Sequence, residues 1–375
     1  MNARSATPPK GKRVLALVTD AYGGYGGIAA YSRDVLRSLC EDEGVAEVVT
    51  VPRVIRAPVG ELPPKLVFDT AAARSAGAFV RSVLRHGLRG GKYDLIYCAH
   101  VNHAPLAWLL SKMTGTPWAL CLYGMEAWVR TGRKAVDAVV GRADLYVVLS
   151  QVTVDRFLKV WPVAPDRCIV VHNAIHLEEF GEGPKNPELE RRYGLEGKKV
   201  LMTFGRLDAT EQAKGFDRVI ELLPRLAQKV PNIAYLICGD GDDRGRLEAM
   251  AVERGVRDRV VFAGMIEEAE KADHYRTADV YVMPSKFEGF GFVNIEAIAC
   301  GIPTIASTID GSRESVREGE IGWMVDPFDP DAIEKAVMEA LATPRGIPEG
   351  LSYFAFSNFR QRLQDTLRPL MQRRG

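Results

Sequence analysis

Short apolar runs recur along this chain at intervals that leave room for one amphipathic helix between each pair, and few folds accept that rhythm. Parallel sheets flanked by helices are the architecture that uses it. Runs near residues 13–19, 95–99, 118–123, 145–149 and 169–172 form one series, and runs near 200–204, 234–238, 260–263, 280–283 and 304–306 form a second. Helical spacing is clearest over 216–230 and, after the first run, at Ile28, Tyr31, Val35 and Leu39, which share one face. At 375 residues the chain exceeds what one core usually fills. We therefore expect an α/β protein of two doubly wound domains. The N-terminal domain covers 1–180, a polar, turn-rich linker 181–199, and the C-terminal domain 200–350, with a last helix at 351–375 returning to the N-terminal domain.

The composition, 47% apolar and 26% charged, excludes a disordered or membrane-spanning class. No uncharged apolar stretch reaches the ~18 residues a transmembrane helix needs. The apolar run at 14–18, behind a basic start, is shorter than the core of a signal peptide. A cytoplasmic protein is expected, peripheral if it meets a membrane. The cysteines, at 40, 98, 121, 168, 238 and 300, form no Cys-x-x-Cys pair and read as small buried thiols of a reducing compartment. The net charge of +1 hides a split, with 22 Lys and Arg against 16 Asp and Glu in residues 1–180 and 27 against 32 in the rest. Such a split fits different partners for the two halves; no nucleic acid is expected among them.

In doubly wound sheets, ligands bind outside the carboxyl ends of the strands, so the chemistry belongs in the loops that follow the apolar runs. The richest of these is PSKFEGFGFVNIEAIACGIP, residues 284–303. Glu288, Gly289, Phe290 and Gly291 lead into a helix that carries Glu296 before Gly301 and Pro303 end it. Glycines at a helix entrance let backbone amides approach an anion, and the helix start adds about half a positive charge. A diphosphate fits there. The two glutamates, roughly two turns apart, can each accept hydroxyl hydrogen bonds, one from a sugar and one from a ribose. A second loop, FGRLDATEQAKGF, places Arg206 directly after one strand and Lys214 and Gly215 at the next helix start, where two cations complete a diphosphate site. GDGDD at 239–243 contains an Asp-x-Asp that could suggest a metal site; following a strand and opening a helix, it reads as a turn and N-cap.

Taken together, these segments resemble the family 4 retaining glycosyltransferases, which have the two-domain GT-B architecture. The resemblance covers most of the chain and is strongest over 200–327, where the Gly-Arg-Leu turn, the Lys-Gly helix start, the Gly-Asp-Gly strand end, Ala-Asp-Val-Tyr-Val-Met-Pro-Ser and the Glu-x7-Glu helix occur in family order. It implies that Arg206 and Lys214 bind the donor diphosphate, that Glu288 contacts the transferred hexose, and that Glu296 holds the ribose. In the N-terminal half, DAYGGYGGIAAYSRDVLRSL resembles the glycine-rich loop that faces the donor phosphate, which puts Gly26 and Gly27 forward. YDLIYCAHVNHAPLAWLL resembles the strand end that carries family histidines, here His100 and His103. One departure stands out: LYGMEAW has Tyr123 where a histidine is usual, with Glu126 at the family's acidic position. A phenol still bonds a sugar hydroxyl but is a poorer base at neutral pH.

The expected activity is transfer of a hexose from a UDP- or GDP-sugar to a glycan or lipid-linked acceptor, as in bacterial polysaccharide or glycoconjugate synthesis. No cofactor is expected, because Arg206, Lys214 and a helix start supply the positive charge that a metal would. The resemblance implies retention, with Glu288, Arg206 and Lys214 as the catalytic groups. Two rivals are a non-catalytic sugar-nucleotide binder and a nucleotide-sugar epimerase on the same plan. A basic helix over 72–92, with Arg74, Arg81, Arg85 and Arg89 on one face beside Phe79, Val80, Val83 and Leu84, is the candidate contact with an anionic membrane surface.

Overall fold

The computed structural model describes residues 11–210 and 212–372, which gather into two compact units. One runs to Ala174 and takes in the chain from Phe356 on; the other is Ile175–Ala355. The first holds strands β1 (Lys12–Val18), β2 (Val45–Pro52), β3 (Leu66–Phe68), β4 (Leu95–Cys98), β5 (Trp118–Leu122), β6 (Leu145–Val148) and β7 (Cys168–Val170). The second holds β8 (Lys199–Phe204), β9 (Ile233–Cys238), β10 (Val260–Gly264), β11 (Val280–Val282), β12 (Thr304–Ser307) and β13 (Trp323–Val325). Every pairing between these strands is parallel. The expected doubly wound α/β plan is present in both units.

Strand order decides where each unit can bind a ligand. The first sheet runs β3-β2-β1-β4-β5-β6-β7 and the second β10-β9-β8-β11-β12-β13. Strands are added outward on one side of β1 and then on the other, so the direction reverses between β1 and β4; in the second sheet it reverses between β8 and β11. Connections leave such a switch point in opposite directions and open a crevice at the carboxyl ends of those strands.

The sequence reading differs from the structure in three stretches. Strands β2, β3 and β13 lie outside the expected runs. β3 and β13 have three residues each, and β2 carries Glu47, whose charge is held by Arg13 at 2.5 Å. The linker at 181–199 contains a helix, Pro187–Tyr193, and the segment belongs to the second unit. Asn186 caps that helix by accepting the Glu188 and Leu189 amides, and Leu189 is buried beneath it, so the short polar run folds on its cap and one anchor. The basic helix is also shorter than 72–92. Ser75 is extended and caps Ala76–Arg89, which leaves Arg74 in a separate 3-10 turn. Phe79 and Val83 point into the core.

Each unit has its own core. Apolar residues of β1, β4, β5 and β6 pack with Phe79, Phe157 and Trp161 in the first; in the second, β8, β9 and β11 pack with Val219, Leu223 and Leu226 of the Phe216–Lys229 helix. The last helix, Phe356–Gln372, completes the first unit. Its Phe359, Leu363 and Leu367 are fully buried, and Phe359 meets Tyr31 edge-on with ring centroids 5.4 Å apart. Polar bonds fix its register, with Gln364 donating to the Ser38 carbonyl at 2.9 Å and Arg368 to Asp42 at 2.8 Å. Because Phe359 has no solvent exposure, Phe359→Ala is expected to destabilise the first unit by ~3–5 kcal/mol, measured as a lower urea midpoint at unchanged m-value.

Candidate functional site

The second unit's switch point brings together residues that lie 74 apart in sequence. β8 ends at Phe204 and is followed at once by Gly205 and Arg206. The chain then loops to Lys214, whose side chain lies along Gly205, close enough that a Cβ there would meet it at 3.3 Å. Gly215, at φ +79°, sits on the end of the neighbouring strand: a Cβ would lie 2.3 Å from the Pro284 carbonyl oxygen. That approach holds the ammonium of Lys214 beside the loop after β11, where it pairs with the Glu288 carboxylate. Burial pushes this carboxyl up, but the charge and hydrogen bond of Lys214, with the Gly291 and Gly289 amides, outweigh burial and hold it below the ordinary carboxylate value.

A third loop, after β12, locks the Glu288 segment. Buried Asp310 accepts the Glu288 amide at 2.8 Å, the Ser312 amide at 3.0 Å and the Ser312 hydroxyl at 2.6 Å. Gly311 N–H donates to the Glu288 carbonyl at 2.9 Å, in a contact so close that a Cβ on Gly311 would fall 2.0 Å from the Gly289 oxygen. The next helix, Phe292–Ala299, opens at Gly291 (φ +87°) with no side-chain cap and no acid in its first turn. The Asn294 amide donates to the Gly291 carbonyl at 2.9 Å, and an uncapped helix start of this kind favours an anion. Arg206, its side chain 69% exposed, pairs with Asp208 at 3.0 Å. Phe290 contributes backbone only, because its ring is buried edge-on against Phe354.

Glu296 is bonded within its own unit. It has no solvent exposure, and both carboxylate oxygens are engaged, one by Lys271 at 2.5 Å and the other by the Tyr275 hydroxyl at 2.6 Å. The helix does carry it inward from the entrance, but onto the Lys271–Thr277 helix rather than into open space. The Asp-x-Asp segment also serves the loops: Asp242 accepts the Ala209 amide at 2.9 Å, and Asp240 the Gly241 amide at 2.8 Å. Asp243, at the N-cap position, makes no capping bond and holds Arg246 at 2.6 Å instead.

In the first unit the glycine loop follows β1 and the histidines follow β4, again the two strands of the switch point. Arg33 fastens the loop by donating to the Ala21 and Gly24 carbonyls at 3.2 and 3.3 Å. Beyond it, Gly26 and Gly27 are exposed, with no atom within 4 Å of where a Cβ would stand. They open the Gly27–Cys40 helix, which lacks a side-chain cap. His103 is buried, its Nε2 3.3 Å from Thr19 Oγ1; burial, with His100 and Arg53 nearby, brings its imidazole down to about 3. His100 is lowered by burial and by Arg133, and its Nδ1 accepts the Asn102 amide at 3.1 Å. Neutral imidazoles at this edge are hydrogen-bonding groups rather than cations.

Tyr123 is 7% exposed, with its hydroxyl 3.4 Å from Ser32 Oγ and its ring edge-on to Tyr31. Burial keeps its phenol protonated far above the usual value. Glu126 accepts the Tyr123 and Gly124 amides at 2.6 and 3.2 Å, and burial raises it against those bonds. It shapes the turn after β5. Sequence reasoning passed over Asp310, Lys271 and Arg33. Asp310 carried a signal, an Asp-Gly directly behind a buried strand on the ligand edge; Lys271 and Arg33 act through partners that spacing does not show.

Two family models match the chain, "Glycosyl transferase 4-like domain" over residues 13–174 and "Glycosyl transferases group 1" over 185–355. A GDP-mannose-dependent alpha-(1-6)-phosphatidylinositol monomannoside mannosyltransferase of Mycolicibacterium smegmatis is 34% identical over 222 residues, 57% of each chain. D-inositol 3-phosphate glycosyltransferase 1 of Catenulispora acidiphila is 25% identical over 386 aligned positions, 92% of this chain and 90% of that one. Among solved structures, Anabaena HepE in complex with UDP-glucose superposes with a TM-score of 0.72 at 19% identity, covering 95% of this chain and 99% of that one. The lipopolysaccharide outer core galactosyltransferase WaaB gives 0.70 at 17%, covering 95% and 99%. At such identities these two show a shared fold. With a matching domain model on each unit and the GT-B plan in its structural neighbours, the chain belongs to the family 4 type of glycosyltransferases.

Proposed function

We propose that the enzyme moves a hexose from a UDP- or GDP-linked donor to a glycan or lipid-linked acceptor, with retention at the anomeric carbon and without a metal ion. The observation that carries this reading is the Lys214–Glu288 pair beside an uncapped helix start at the switch point. One cation, one exposed guanidinium and the uncapped start of one helix suit a diphosphate, and a carboxylate held ionised beside them suits the hydroxyls of the attached sugar. The mannosyltransferase relative is GDP-mannose-dependent by name, and HepE was solved with UDP-glucose, which supports a nucleotide-sugar donor with either base.

Chemically, the bond from the anomeric carbon to the phosphate oxygen breaks while a bond from that carbon to the acceptor oxygen forms. The leaving phosphate gains negative charge, which Lys214, Arg206 and the Phe292–Ala299 helix start would stabilise. The acceptor attacks on the face the phosphate leaves, and its proton passes to a phosphate oxygen, so no carboxylate nucleophile is required. His100, His103, Tyr123 and Glu126 belong, in this reading, to the acceptor side and the hexose, with the neutral histidines as hydrogen-bond partners, while Gly26 and Gly27 face the donor phosphate. The relatives' names include a phosphatidylinositol mannoside and an inositol phosphate, which supports a phosphate-bearing acceptor.

Among the described residues no helix is long and apolar enough to cross a membrane. The Ala76–Arg89 helix exposes Arg81, Arg85 and Arg89 with Val80 and Leu88, and Arg85 is partly neutralised by Asp69 at 2.6 Å. This helix suits the anionic cytoplasmic surface of a membrane, where a lipid-linked acceptor would be met.

Three outcomes follow. Turnover should persist in EDTA; loss on chelation with recovery in magnesium or manganese contradicts the metal-independent reading. Glu288→Gln should lower kcat by ~10²–10³ while nucleoside diphosphate affinity stays near wild type, and donor consumption without any acceptor would favour an epimerase. Liposome flotation should show binding that requires anionic lipid and weakens in Arg81→Glu/Arg89→Glu; equal, negligible binding to neutral and anionic vesicles removes the membrane from the account.

A further inference from the structure

Both backbone groups of Glu288 are held by one dipeptide of the loop after β12. The Glu288 amide donates to the Asp310 carboxylate at 2.8 Å, and the Glu288 carbonyl accepts from Gly311 N–H at 2.9 Å. The other Asp310 oxygen takes the Ser312 amide at 3.0 Å and the Ser312 hydroxyl at 2.6 Å. That hydroxyl in turn accepts the Ser307 amide at 3.0 Å and lies 3.4 Å from the hydroxyl of Ser285. Asp310 and these three serines have no solvent exposure.

Every hydrogen-bond partner of Asp310 among the described residues is neutral. A buried carboxylate stabilised by hydrogen bonds alone is hard to keep ionised. The charge that faces it, Glu288 from the loop after β11, has the same sign. The cations around it are engaged elsewhere: Lys214, from the loop after β8, pairs with Glu288, Lys271 with Glu296, and Arg313 with Glu318. Burial, the largest influence, raises Asp310, and the Glu288 charge adds to it; the bonds from Ser312, the Glu288 amide and Ser285 do not cancel that rise. Glu288 is held below its ordinary value, so as the pH falls Asp310 takes up a proton first. Its bond to the Glu288 amide then changes from a charge-assisted one to an ordinary one, about half as strong.

We propose that Asp310 is a positioning residue for Glu288: its ionised form keeps the Glu288 loop in place for transfer, and its protonation loosens that loop and slows the reaction at a pH where Glu288 is still ionised. The proposal rests on the donor-site reading above. The acid limb of activity then belongs to a residue that touches no substrate.

The experiment is hydrogen–deuterium exchange of the peptide spanning 286–291, followed from neutral to acid pD in the wild type, Asp310→Asn and Glu288→Gln, with each rate divided by its intrinsic rate at that pD. In the wild type the corrected rate should rise by about fivefold as Asp310 protonates, while β9 and the Phe216–Lys229 helix stay unchanged. Asp310→Asn should show the raised rate at every pD. Glu288→Gln should keep the step and move it to lower pD, because one like charge beside Asp310 is gone. Turnover of UDP-glucose or GDP-mannose, read as release of the nucleoside diphosphate, should fall over the wild-type step with KM little changed. A wild-type rate that does not respond to pD overturns the proposal, as does a wild-type profile in Asp310→Asn or turnover that stays constant across the step. Faster exchange throughout the second unit of Asp310→Asn marks a merely structural aspartate and overturns it too. Titration of the wild type with UDP and GDP keeps the two readings apart. Binding of neither refutes the donor site and, with it, the part of Asp310 in transfer, whereas binding with an unresponsive loop refutes this proposal alone.

Discussion

Lys214 and Glu288 come from loops behind two different strands, and they meet because strand addition in the second unit reverses between β8 and β11. Everything else at this edge serves that pair. Gly215 lets the lysine loop rest on the Pro284 carbonyl, and Gly311 lets the loop after β12 close over Gly289. Asp310 fixes the Glu288 backbone from below. A cation and a carboxylate held this way, beside an uncapped helix start, are arranged before any ligand arrives, which is the condition under which electrostatics assist a reaction most.

The sequence made the frame of this site legible because its signals are local. An apolar run, a glycine and a cation in a row mark a strand end, and Gly205, Arg206, Lys214, Gly215 and Glu288 lie where that grammar puts them, at the carboxyl edge of β8 and β11. What it left out depends on partners far along the chain. Glu296 was legible as an acid two turns into the helix, but not its bonds to Lys271 and Tyr275, which lie 25 and 21 residues earlier. The 72–92 stretch looked like one basic helix because helical spacing continues through Ser75, whereas that residue is extended and caps a new start. The polar run at 181–199 was read as a linker because periodicity is hard to see in seven residues; Asn186 followed by Pro187 was the cue to a capped helix.

The two units divide the electrostatic work differently. In the second, Lys214 holds Glu288 ionised, while Lys271 and Tyr275 bond a Glu296 carboxyl that burial pushes up. In the first, burial keeps His103, His100 and Tyr123 neutral at ordinary pH, and the fixed features are hydrogen-bonding groups and the open amides after Gly26. An edge of that kind suits polyhydroxyl ligands, while the paired charges suit a diphosphate that leaves with its electrons. The buried cysteines take no part: all six are free thiols, and those at 40, 98, 121, 238 and 300 are buried.

The central claim is that Lys214 at the β8–β11 switch point binds a nucleoside diphosphate. Isothermal titration of UDP and GDP against the wild-type protein and Lys214→Ala tests it directly. The account predicts that one of the two nucleotides binds at a single site and that Lys214→Ala weakens it at least about tenfold, the scale of a charge-assisted contact, with the protein still folded. Binding of neither nucleotide, or equal affinity in both proteins, would contradict it.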